Sequence, residues 1–131
     1  MLTYKDYLHE PKCLTFDEMV KIHENIRLEV GTDPEALAIY QKLVEKATEY
    51  ANIRARWLSL SQDEKLEQEP SRIFCHDSLI VRFDMLARFL RIQGKPVTWR
   101  DILGGGSDPY TRKRIGDFAC FLVFINSLNA R

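Results

Sequence analysis

Residues 107–128 read SDPYTRKRIGDFACFLVFINSL, and whether this stretch is a strand or a helix decides the fold class. Its centre, FLVFI at 121–125, is aromatic and β-branched, a composition that suits a strand. Asp108-Pro109 ahead of it argues the other way. A short carboxylate can cap a helix, and proline has no N–H to waste in the first turn. Between Tyr110 and Ile125 only Gly116 could punctuate the run, so no turn divides it into strands. The stretch is predicted to be a helix over 109–128. It carries Ile115, Phe118, Ala119, Phe121, Leu122, Val123, Phe124, Ile125 and Leu128, and is expected to be buried.

Upstream, Thr98 to Leu103 has room for one or two turns before three glycines, Gly104 to Gly106. The stretch 71–93 holds twelve apolar side chains from Ile73 to Ile92, too many for one stripe, so a helix buried on most sides is expected. Asp77, Asp84, Arg88 and Arg91 mark its one wet edge. Gly94 and Pro96 end it. Just before, SQDE at 61–64 is a capping box, but Leu66 is the lone residue to bury ahead of Pro70, which predicts a short connector stopped by the proline.

Two further helices precede it. TFDE at 15–18 is another capping box, and Phe16, Met19, Val20, His23, Ile26 and Val30 follow at helical steps until Gly31. TDPE at 32–35 then opens a long helix running to about Leu58, whose apolar stripe includes Arg54. A charge on a core stripe must find a partner, and His23 raises the same question. Residues 1–14 lack any period and form an irregular arm that packs through Leu2, Tyr4, Tyr7 and Leu8. The expected architecture is all-α: a single-domain bundle, residues 1–131, of four main helices plus one or two short ones. The two most apolar helices, 71–93 and 109–128, are placed at its centre. Their apolar content exceeds what four helices can cover, which favours a dimer.

The composition limits function. With 19 basic and 19 acidic residues, the chain lacks the overall positive field of a dedicated nucleic-acid binder. The charge is unevenly distributed. The first 70 residues carry 14 acidic and 9 basic side chains, the remainder 5 and 10, so the halves suit each other or a second copy. Cys13, Cys75 and Cys120 are odd in number and far apart, which indicates neither disulfide framework nor zinc knuckle. Reduced thiols fit a cytoplasmic protein. MLTYKDYLHEPK at the N-terminus has no apolar signal-peptide core, and no apolar run approaches the length of about 20 residues that spans a bilayer. No membrane partner is expected.

The glycines match no phosphate-binding loop, because neither G-x-x-x-x-G-K-[ST] nor G-x-G-x-x-G is present. Ser107 or Asp108 would occupy the N–H groups of the following helix, and an aspartate there repels phosphate. TWRDILGGGSDPYTRKRI at 98–115 resembles the helix-turn-helix segment of some bacterial DNA-binding domains. That resemblance implies a recognition helix capped by Ser107 or Asp108, with Arg100, Tyr110, Thr111, Arg112, Lys113 and Arg114 facing DNA, the basic ones mainly at phosphates. The first helix is about a turn shorter than the motif wants, and Arg112 stands where an apolar residue usually packs.

His76-Asp77 resembles the pair that HD-type metal-dependent phosphohydrolases place on a helix. The resemblance implies a metal site in which His23 and either Asp84 or Asp117 complete the set. The residues that follow, SLIVRF, differ from the usual continuation of that family. Glu45, Glu49, Glu64 and Glu67 lack the paired spacing of helical nucleotide pyrophosphatases and read as solvated faces. No catalytic triad and no cofactor motif is indicated. The reading that fits best is a non-catalytic helical protein acting through protein contacts, with itself (as a homodimer) or another chain as partner. DNA binding is the alternative and an HD-type phosphohydrolase the second.

Overall fold

The computed structural model describes residues 14–104 and 109–129, and these form an all-α bundle. The elements are α1 (Phe16–Val30), α2 (Pro34–Arg56), a 3-10 turn at Trp57–Ser59, α3 (Gln62–Ile92), α4 (Thr98–Leu103) and α5 (Pro109–Asn129). All but the last residue of the arm expected over 1–14, and the expected Ser107/Asp108 cap, lie outside the described residues. No helix among the described residues is long and apolar enough to cross a membrane.

Each start is set locally. Thr15 Oγ1 accepts from the Glu18 amide at 3.1 Å while Glu18 Oε1 accepts from the Thr15 amide at 2.9 Å, which closes the expected capping box of α1. Asp33 caps α2 through the Glu35 amide at 2.9 Å, with Pro34 in the first turn. Ser61 and Glu64 repeat the capping box at α3. Gly31 and Gly104 close α1 and α4 at φ 55° and 69°, angles that cost glycine little.

Two boundary expectations are corrected. Pro70 does not stop a connector. It lies inside a single 31-residue helix, α3. Proline deprives the Leu66 carbonyl of its intrahelical donor, but Leu66 and Pro70 are both exposed, so water can serve that carbonyl instead. Arg72 also braces this end, pairing with Glu69 and lying over the Trp57 ring.

The second correction concerns the centre of the bundle. Every residue from Ile115 to Val123 is buried, and α5 packs against each of the other four helices, as expected for the central element. By contrast, α3 buries only one face, through His76, Leu79, Phe83, Leu86, Ala87 and Leu90. Ile80 and Phe89 lie half-buried at the edge of the core, while Leu66, Ile73, Phe74, Val81, Met85 and Ile92 face outward, because the neighbouring helices cover one side of α3 and nothing in the described chain covers the other.

Gly116 lets α2 approach α5. A Cβ there would stand 2.7 Å from Tyr50 Oη and 3.0 Å from Arg54 Nη1. At the other end, Glu29 of α1 grips α4, accepting from the Val97 amide at 3.0 Å and from Trp99 Nε1 at 2.7 Å. Val97 has φ 52°, a conformation a β-branched residue adopts only when its surroundings force it. Here the forcing agents are the Glu29 carboxylate and complete burial of the Val97 side chain.

Candidate functional site

Of the basic residues singled out around α4 and α5, Arg100 and Arg114 turn toward the protein itself. Arg100 donates from Nε to Asp84 Oδ1 at 2.7 Å and from Nη1 to the Gly104 carbonyl. Arg114 donates from Nη1 to the Ile102 carbonyl at 2.9 Å. Both arginines thus satisfy carbonyls at the C-terminal end of α4, where positive charge is favourable and backbone acceptors lack intrahelical donors. Lys113 is exposed. The side chains of Tyr110, Thr111 and Arg112 lie outside the described residues.

The residues of the His-Asp reading are placed on different surroundings. His76 of α3 is buried edge-on against Tyr50 of α2, their rings 5.4 Å apart. Asp77 is exposed. His23 of α1 packs on Phe121 of α5 at 6.1 Å, and its Nε2 is buried with no hydrogen-bond partner among the described residues. Asp84 holds Arg100. Among the described residues no three His, Cys, Asp or Glu side chains form a group that could hold a metal ion.

Arg54 finds the partner that its place on a core stripe demands. Its Nη2 meets Asp117 Oδ1 of α5 at 2.6 Å, with side-chain exposures of 16% and 1%. Tyr50, Gly116 and Cys120 crowd the same junction. Burial pushes the Cys120 thiol up to about 12 and also raises Cys75, so neither thiol carries the thiolate that reactive cysteines need. The junction ties α2 to α5 and offers no activated nucleophile.

The feature that composition did not locate is the outer face of α3. Leu66 (73% exposed), Phe74 (69%), Val81 (55%), Met85 (44%) and Ile92 (80%) point away from the bundle, with Ile73 (45%) beside them. Together with Pro70, Asp77 and Arg88, also exposed, they recur at steps of four, four and three. An eleven-residue period gives 3.67 residues per turn, close to that of a straight helix, so the stripe runs almost parallel to the axis. The signal was present in the sequence as an excess of apolar residues, but which of them the bundle would leave outside was not. No protein-family model, no curated protein and no solved structure matches this chain.

Proposed function

We propose that this protein acts non-catalytically, through protein contacts, and that its partner on the outer face of α3 is a second copy of itself in antiparallel orientation. The observation that carries the reading is the row of exposed apolar side chains on one side of a 31-residue helix. Contiguous apolar patches of this kind are uncommon on monomers and mark interaction sites.

The row is palindromic, which favours a second copy over an unrelated chain. A twofold axis near residue 79 lays Leu66 on Ile92 of the other copy, Ile73 on Met85 and Asp77 on Val81. A surface that is self-complementary in this way is what an isologous interface requires. The charges follow the same symmetry: the same operation sets Glu67 beside Arg91. The first ten residues of α3 hold Asp63, Glu64, Glu67 and Glu69 against Lys65, whereas 82–92 hold Arg82, Arg88 and Arg91 against Asp84. Acidic turns therefore meet basic ones at both ends, which sets orientation more than affinity.

The helix is about 46 Å long. A strip of that length and about 10 Å wide contributes roughly 500 Å² per partner, near the lower bound for a specific interface. The dimer is accordingly reversible, with dissociation in the micromolar range. DNA contact through α4 and α5 would require Arg100 and Arg114 to leave the carbonyls they satisfy, which disfavours that alternative.

Sedimentation velocity over a concentration series tests the proposal. The native chain should shift from monomer to dimer as concentration rises, and Phe74→Glu/Val81→Glu should stay monomeric with an unchanged far-ultraviolet circular dichroism spectrum. A native chain that remains monomeric at high micromolar concentration, or a variant that still dimerises, rejects it.

A further inference from the structure

A cavity of about 430 Å³ opens where the end of α1, the start of α2 and the last turns of α5 meet. That volume lies in the range of small-molecule sites. Val30, Leu37 and Val44 form its apolar wall, and Arg27, Tyr40 and Asn126 its polar one.

The hydrogen bonds around Tyr40 leave its hydroxyl proton without an acceptor among the described residues. Asn126 donates from Nδ2 to the Leu122 carbonyl at 2.8 Å and to the Tyr40 hydroxyl oxygen at 3.2 Å. A carbonyl can only accept, so the Leu122 contact fixes the orientation of the amide, and Tyr40 receives from Asn126 rather than giving to it. The Tyr40 proton is directed elsewhere, and no described residue accepts it. The Tyr40 side chain is 7% exposed and lines the cavity, so its hydroxyl proton is available to a ligand seated there.

The charge beside this donor is also uncompensated. Arg27 stands close enough to act on the Tyr40 hydroxyl, its positive field opposing the burial that pushes the phenol up. Among the described residues it makes no ion pair with a carboxylate. Glu45 at the rim is the one acid in the wall, and Lys42 holds it at 3.4 Å.

We infer that this cavity binds a small carboxylate with an apolar body. Arg27 takes the charge, the Tyr40 O–H donates to one carboxylate oxygen, and Val30, Leu37 and Val44 cover the hydrocarbon. An alcohol of the same length can accept from Tyr40 but leaves Arg27 unengaged, and an alkylammonium is repelled by it. The three head groups therefore separate this reading from simple filling of an apolar dent.

The experiment is a ¹H–¹⁵N titration of the full chain with octanoate, octanol and octylammonium. Octanoate should shift amides around Val30 to Gln41 and at Asn126, saturably, and bind at least about tenfold more tightly than octanol, because a charge-assisted hydrogen bond exceeds the 1.4 kcal/mol that tenfold represents. Arg27→Gln should weaken octanoate about tenfold and leave octanol nearly unchanged, whereas Tyr40→Phe should weaken both, because octanol also accepts from the Tyr40 hydroxyl. Arg27 is exposed, so its variant decides the matter if the tyrosine variant does not fold. Equal affinity for octanoate and octanol, shifts elsewhere on the protein, or no shift at millimolar octanoate overturns the assignment.

Discussion

Replacing Asp117 by asparagine should unfold this protein more readily than any surface change, and the structure gives the size of the effect. The carboxylate is 1% exposed and meets Arg54 Nη2 at 2.6 Å, while the arginine side chain is only 16% exposed. The Asp117→Asn change keeps nearly the same side-chain volume, so little cavity forms. What is lost is the negative charge, which leaves a guanidinium buried between α2 and α5 with a neutral neighbour. Breaking a buried pair in this way costs about 3–5 kcal/mol, a large part of the roughly 5–15 kcal/mol that holds a domain together. With a urea slope of about 2 kcal/mol per molar, the midpoint should fall by about 1.5–2.5 M. The pair itself is not a strong net contributor, because desolvating two charges offsets most of their attraction. Arg54→Met/Asp117→Leu should therefore recover most of the stability lost in the single variant. Urea denaturation followed by circular dichroism measures both. A single variant that costs less than about 1 kcal/mol, or a double variant no better than the single, would refute the reasoning.

Burial holds His23 below its ordinary pKa of 6.5 and Arg27 adds to the effect. The unfolded chain thus binds more protons than the folded one below that value, and stability should be full above pH 6.5 and decline as pH falls below it. Urea midpoints at pH 7.5 and 5.5 should differ less in His23→Phe than in the native chain. Glu29→Ala removes the acceptor for both Val97 N–H and Trp99 Nε1 and should cost about 2–3 kcal/mol, with faster amide exchange at Val97 as a local readout. Pro70→Ala restores a helical donor inside α3 and removes a residue that helix interiors tolerate poorly, so it should stabilise by about 1–2 kcal/mol after the gain in unfolded-state entropy is deducted. Were 62–70 a separate connector, that substitution would change thermal stability little.

The parts of the fold that were legible in the sequence are those decided within a few residues. Thr15 with Glu18, Ser61 with Glu64, and Pro34 in its first turn announce helix starts because cap and capped amide lie two or three positions apart. Pro70 misled for a physical reason. The cost of its missing N–H depends on whether water reaches the Leu66 carbonyl, and that is a property of the folded surface. Counting apolar residues on α3 correctly found an excess but assigned it to the interior, since periodicity cannot say how many neighbours a helix will have. Arg54 was recognisable as needing a partner, yet Asp117 lies 63 positions away, and nothing local connects them. The roles of Arg100 and Arg114 were equally hidden, because Asp84 lies 16 positions from Arg100 and the Ile102 carbonyl 12 positions from Arg114. Glu29 gave no signal at all. It sits among other acidic residues of α1, and only the fold sets it beneath Val97 and Trp99.

In the proposed dimer α3 meets α3 of a second copy in antiparallel register, and cysteine cross-linking tests that geometry most directly. With Cys13 and Cys75 changed to serine, Leu66→Cys and Ile92→Cys chains would be oxidised separately and as a mixture. The antiparallel pairing predicts that the mixture forms a disulfide-linked heterodimer while neither chain alone links efficiently. Efficient linking of either chain with itself, or no linking in the mixture, would contradict it.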